Sequence, residues 1–244
     1  MTTATEETQA PTVSTEISRA DFAVFFELEY TLVNMREQVF QHLVTAMKSI
    51  RKKDLITPPE FSRYCLYPEA KYFVPNLQEA FSITDEKAAT LVTQLNAKYK
   101  EYLTSDALDV NEQMKNMIEI VATTGLSVCT LSTLSETDTT ALLKRVGLGD
   151  LKIEQFCCNK LDEHFPRADT WMKMARELGK SSRRCVVFAS SSRACKATLS
   201  AGMRSIAVPD QFTSYQDFGG TEMILDADEK WDAQQIINDT FPIV

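Results

Sequence analysis

Glycine is scarce in this 244-residue chain, and all seven glycines (125, 147, 149, 179, 202, 219 and 220) fall at or after Gly125. The first half therefore holds neither a G-x-G-x-x-G turn nor a P-loop, and any phosphate chemistry must use another device. Histidine is scarcer still, with only His42 and His164. Cys65, Cys129, Cys157, Cys158, Cys185 and Cys195 include no C-x-x-C pair, so a structural zinc site is not expected. Cys129 and Cys185 lie inside apolar runs and read as small buried hydrophobes. Positive charge is in deficit: 26 Lys and Arg against 34 Asp and Glu leave a net charge of −8. An acidic chain lacks the sequence-independent attraction that nucleic acids and anionic membranes exert on basic proteins, so neither is an expected partner. No run approaches the roughly 18 apolar residues of a membrane-spanning helix. The first 19 residues lack the apolar centre of a secretory signal, and Glu6, Glu7 and Glu16 argue against an organelle transit peptide. Reduced thiols in the cytoplasm are the expectation.

What is present is an ordinary globular composition, 44% hydrophobic and 25% charged, in a chain long enough to bury its own core. Residues 1–19 are rich in Thr, Glu, Ser and Ala and read as a disordered tail. Phe22–Phe26 is a short continuous apolar run, as in a buried parallel strand. Helical spacing follows, in Val39, Phe40, Leu43, Val44, Met47 and Ile50, then in Ala88, Leu91, Val92, Leu95, Tyr99 and Tyr102. Between them Pro58, Pro59, Pro68 and Pro75 break the chain into short pieces. From Asn111 helices and strands alternate. Strands are predicted at Leu126–Thr130, Ile153–Cys157, Cys185–Ala189, Arg204–Val208 and Met223–Leu225. Helices end at Gly125, Gly147, Gly179 and Gly202. This alternation implies an α/β fold with a parallel sheet and helices on both faces. The helical block at 35–105 interrupts a core formed by 20–34 and 106–244. Inserted after the first strand, it projects from the carboxyl ends of the strands, where open α/β sheets place their ligands.

That first strand ends in Phe26-Glu27-Leu28-Glu29-Tyr30-Thr31-Leu32. Two carboxylates at i and i+2 of an extended segment point to one side. Such a pair can serve as nucleophile and general acid/base or hold Mg²⁺, although a solvated strand end has the same pattern. Elsewhere, Lys48, Arg51, Lys52 and Lys53 read as a solvated helix end. Arg193 and Lys196 follow a hydroxyl-rich loop, Ser190–Ser192. A loop of that kind at a helix N-terminus can bind an anion, and helix capping by serine is its simpler reading.

The segment at Glu27 resembles the first motif of the haloacid dehalogenase superfamily, apolar-apolar-Phe-Asp-x-Asp-x-Thr-Leu, and the resemblance extends over about residues 21–240. The nearest group is that of the phosphoglycolate phosphatases and β-phosphoglucomutase-like members. The resemblance implies a Rossmann-like core with a parallel sheet and an inserted all-helical cap. Leu126-Ser-Val-Cys-Thr130 fits a second motif, with Thr130 as the phosphate-binding hydroxyl. Phe165-Pro166-Arg167-Ala168-Asp169 resembles a third, Lys-Pro-x-Pro-Asp. Val187-Phe188-Ala189-Ser190-Ser191 stands where a fourth carries metal-binding acids, and Ala201–Pro209 matches the strand that follows it.

The departures fall on the chemistry. Glu27 stands at the nucleophile, Glu29 at the acid/base, Phe165 at the phosphate-binding Lys, and Ala189 and Ser190 at the metal acids. A Glu reaches one methylene farther than an Asp, and a misplacement of about 1 Å can cost about 100-fold in rate. Glu27 and Ser190 make a poor set for Mg²⁺, which wants near-octahedral oxygens. Without the Lys, Arg167 or Lys160 would have to offset phosphoryl charge. The expectation is a protein with a degraded phosphoryl-transfer site that is inactive or nearly so and serves in binding, sensing or interaction. No cofactor is expected, and the partners are a small phosphorylated metabolite or another protein. The alternative is a Mg²⁺-dependent phosphatase or phosphoglucomutase-like hydrolase with Glu27 as an unusual nucleophile.

Overall fold

The computed structural model describes residues 18–51, 56–68, 72–157 and 166–241, with the side chains of 49–51 left aside. Most of the expected N-terminal tail, 1–17, lies outside the described residues. Just after it, Arg19–Asp21 forms a single 3-10 turn before the first strand. Among the described residues β1 (Ala23–Glu27), β2 (Ser127–Ser132), β3 (Ile153–Cys157), β4 (Cys185–Ala189), β5 (Arg204–Ala207) and β6 (Met223–Ile224) form one parallel sheet in the order β3-β2-β1-β4-β5-β6. Every residue of β1 and of β4 is buried, which is why both read as unbroken apolar runs rather than alternating ones. Phe26 and Phe188 stack across this central pair with ring centroids 4.8 Å apart. The strand order reverses at β1, so the carboxyl end of β1 opens at the switch point where such sheets bind ligands.

The chain turns out of β1 through a single helical turn, α1 (Leu28–Thr31), and enters the cap helices α2 (Met35–Arg51), α3 (Pro58–Tyr64), α4 (Phe73–Phe81) and α5 (Asp85–Thr104). Local sequence sets these boundaries. Thr57 and Glu60 form a capping box at the start of α3, with Pro58 at its first position. The cap has its own apolar cluster, including Val39, Leu43, Phe61, Leu77, Leu91 and Leu95. Its two connections to the core run side by side: Val33 pairs antiparallel with Val110, and Asn111 N–H donates to Leu32 O at 2.8 Å.

The core continues with α6 (Glu112–Thr123), α7 (Glu136–Arg145), α8 (Ala168–Glu177), α9 (Ser192–Ser200) and α10 (Ala233–Thr240). Gly125 (φ +82°) and Gly202 (φ +73°) sit just past α6 and α9 in the left-handed conformation that closes a helix. The observed strands begin or end within two residues of the predicted ones. The pattern did not predict α10, although Asp232 caps it by accepting from Gln235 N–H at 2.9 Å. No helix among the described residues is long and apolar enough to cross a membrane.

Core and cap are joined a second time beyond β5. Phe212, 2% exposed, leaves the core and enters the cap cluster. Its ring centroid lies 4.7 Å from that of Phe61 and 5.1 Å from that of Phe40. Ser62 Oγ donates to Phe212 O at 2.7 Å, and Gln211 Nε2 donates to Glu37.

Candidate active site

Glu27 is the last residue of β1 and Glu29 belongs to the helical turn after it; each is 1% exposed. The extended geometry expected for this pair does not occur. Thr31 Oγ1 donates to Glu27 O at 2.9 Å and helps tighten the chain into α1. Two residues along a helix are about 200° apart, so the carboxylates reach to opposite neighbours of β1, Glu27 to the β4 side and Glu29 to the β2 side.

On the β4 side, Glu27 Oε2 accepts from Ser190 N–H at 2.7 Å and from the Ser190 hydroxyl. Glu27 Oε1 accepts from Tyr67 O–H at 3.0 Å. Tyr67 comes from the cap, after α3, and is 1% exposed. Its hydroxyl also meets Ser191 Oγ. The phenol has one proton and gives it to Glu27, so Ser191 must be the donor in that second bond. Burial, then the nearby Glu27 charge, push the Tyr67 pKa well up, which keeps it a donor. Ser191 in turn caps α9 by accepting from Ala194 N–H at 3.2 Å.

Behind this pair lies Arg36, in the first turn of α2 and 1% exposed. Its Nη2 donates to Ser190 Oγ at 2.7 Å, and its Nη1 to Asp210 Oδ2 at 2.7 Å. Its guanidinium carbon lies 4.4 Å from the Tyr30 ring centroid and 5.3 Å from that of Tyr67. Burial works against the charge, but Asp210, Tyr67 and Glu27 outweigh it and the Arg36 pKa is raised. A permanent cation therefore reaches Glu27 through a single shared hydroxyl.

On the β2 side, Glu29 Oε1 accepts from Ser132 O–H and from Thr133 N–H, the latter at 3.0 Å. Oε2 is buried with no hydrogen-bond partner among the described residues. Burial pushes the Glu29 carboxyl up from 4.5 to about 7, against the pull of the Ser132 and Thr133 bonds. Loss of solvation is thus the cause of the raised value.

Of the residues nominated from sequence, the structure brings Glu27 and Ser190 into contact. Ala189 ends β4 beside them and is fully buried. Thr130 is not at the strand end. β2 runs two residues farther, Thr130 lies opposite Phe26, and its buried hydroxyl has no partner among the described residues. Ser132 holds the terminal place instead. Arg167 is half-exposed and pairs with Asp169 at 3.4 Å. Phe165, Lys160, His164 and Cys158 lie outside the described residues. Cys65, Cys129, Cys157, Cys185 and Cys195 are buried thiols. Arg36, Tyr67, Ser132 and Asp210 were not anticipated, whereas Ser191 belongs to the serine loop, and it caps the helix as its simpler reading has it. Asp210 directly follows the recognisable string Ala201–Pro209. Arg36 and Tyr67 belong to the cap, where no motif marks them.

Magnesium, which such a fold implies, would meet the Glu27 carboxylate and the Ser190 hydroxyl. The hydroxyl already donates to Glu27 and accepts from a guanidinium, and Ala189 offers no side-chain oxygen. Among the described residues no cluster of three or more His, Cys, Asp or Glu is placed to hold a metal.

No protein-family model matches the chain, and neither does any curated protein. Solved structures do. A predicted phosphoglycolate phosphatase from Haemophilus somnus 129PT aligns with a TM-score of 0.71 at 14% identity, covering 92% of this chain and 100% of that one. A haloacid dehalogenase-like family hydrolase from Streptococcus pneumoniae gives 0.68 at 11% identity, with the same coverage of 92% and 100%. A β-phosphoglucomutase from Clostridium difficile gives 0.67 at 14%, covering 90% and 97%. Likeness at such identities concerns the fold, and together with the parallel sheet, its switch point at Glu27 and the helices inserted after β1 it identifies the chain as having the haloacid dehalogenase-like fold with a helical cap.

Proposed function

We propose that this protein does not transfer phosphoryl groups and acts by binding, as a sensor of a small phosphorylated metabolite or as the partner of another protein. The observation that carries this reading is that Glu27 is buried and both its oxygens accept from the chain's own donors, Ser190 and Tyr67, which leaves the remaining lone pair of Oε1 beside the Tyr67 phenol rather than open to a substrate. A nucleophile needs a free lone pair aimed at its target. Here the cap supplies a phenol at that place, and the buried cation Arg36 reaches the same carboxylate through Ser190. The oxygen set does not suit Mg²⁺, because a guanidinium bonded to one of its two members repels a second cation. The buried thiols suit a reducing, cytoplasmic setting.

One observation favours the second reading, a working phosphatase or phosphoglucomutase-like hydrolase. Glu29, with its pKa raised to about 7 and one oxygen unpartnered, has the proton affinity of a general acid/base at neutral pH. It stands where the resemblance puts that role. Calorimetry with Mg²⁺ separates the two readings. Binding of millimolar strength or weaker is expected, and tight stoichiometric binding that vanishes in Glu27→Ala would favour the enzyme.

A further inference from the structure

Arg193 and Lys196 follow the serine loop in sequence and take no part in the Glu27 site. They line a cleft of about 630 Å³ between cap and core, whose walls include neither Glu27 nor Ser190. That volume suits a small-molecule ligand. The cap contributes Arg63, Tyr64, Tyr67 and Tyr72, and the core contributes Arg193, Lys196, Tyr215 and Asp217. Three cations against one acid leave a local charge of +2 in a chain whose net charge is −8.

The cations are not equally committed. Lys196 pairs with Asp217 at 3.6 Å, and Asp217 is further held by Gly219 N–H, which with Lys196 lowers its pKa. Among the described residues Arg63 and Arg193 have no carboxylate partner. Each lies instead over a cap tyrosine, Arg193 at 4.1 Å from the Tyr72 centroid and Arg63 at 5.3 Å from that of Tyr64. A guanidinium held against a ring without a carboxylate partner can still present N–H groups to an oxyanion. Tyr215, 63% exposed, presents a further ring at the rim.

We propose that this cleft binds a phosphorylated aromatic compound, with the dianionic phosphate held by Arg193 and Arg63 and the ring against the tyrosine wall. A dianion matches the +2 of the lining, and paired guanidiniums match phosphate oxygens better than a lone ammonium does. The proposal does not depend on whether Glu27 reacts.

Titration calorimetry with phenylphosphonate tests it, since the carbon–phosphorus bond resists phosphoryl transfer and turnover cannot confuse the reading. Saturable one-site binding is expected, weakened about tenfold or more in Arg193→Gln and about tenfold or more when methylphosphonate replaces the probe. Arg193 is exposed, so the variant should melt with the wild type. Absence of saturation, equal affinity for methylphosphonate, or full affinity in Arg193→Gln with an unchanged melt would each overturn the proposal.

Discussion

Glu27→Gln should destabilise the protein, and the site geometry gives the size of the effect. Glu27 accepts three hydrogen bonds, two at Oε2 from Ser190 and one at Oε1 from Tyr67. A glutamine keeps one acceptor oxygen, which can face Ser190. Its amide nitrogen must then face the Tyr67 hydroxyl, which donates in the native site. That hydroxyl can rotate and give its proton to Ser191, but only by displacing the donor Ser191 now supplies. Arg36 loses one of its two nearby anions and keeps Asp210. Losing one hydrogen bond to a charged group costs about 1.5–3 kcal/mol. Removing a partner charge from a buried cation adds to that, offset in part by the easier burial of a neutral amide. A net loss of about 2 kcal/mol follows, which in a chain of this size lowers the melting temperature by about 4–8 °C. The assay is thermal melting of wild type and variant at pH 7 without added metal. A Glu27→Gln protein as stable as wild type, or more stable, would show that Arg36, Ser190 and Tyr67 do not stabilise the carboxylate, and the reasoning would fail.

Glu29 carries the opposite sign. Its folded pKa of about 7 lies above the ordinary 4.5, so the native state holds a proton that the unfolded chain releases, and stability falls as the pH rises between those values. The difference corresponds to about 3 kcal/mol. Denaturant melts should therefore show Glu29→Gln more stable than wild type at pH 8 and nearly equal to it at pH 4.5; a variant less stable at pH 8 would place an unseen cation or donor at Oε2. Phe212→Ala should cost about 3 kcal/mol through the cavity left between Phe61 and Phe40. Its hydrogen exchange should accelerate in the cap helices ahead of β1 and β4, whereas uniform acceleration would mean that Phe212 does not fasten the cap.

The sheet was legible because its central strands are buried on both faces: Phe22–Phe26 and Cys185–Ala189 are unbroken apolar runs, and glycines mark the helix ends that follow. The position of Glu27 was equally legible, since it closes the first of those runs. The direction of its side chain was not. The E-x-E spacing implies one face only if the strand continues through Glu29, and the chain instead turns helical at Leu28. The apolar run looks finished at Thr130, whereas pairing with β3 carries β2 on to Ser132. The partners of Glu27 could not have been found locally. Arg36 and Asp210 are separated by 174 residues and meet only after the sheet has formed, and Tyr67 arrives with the cap. The absence of the usual Lys and metal acids was plain in the sequence. That a buried arginine stands in the same region became visible only in three dimensions.

Under the proposed function Glu27 is a structural acceptor and not a nucleophile. It is tested most directly by assaying wild type and Glu27→Gln side by side for phosphate release from a panel of small sugar phosphates and other phosphate monoesters, with and without Mg²⁺. Background rates are expected for both proteins under both conditions. Mg²⁺-dependent turnover by the wild type that disappears in a folded Glu27→Gln variant would contradict it.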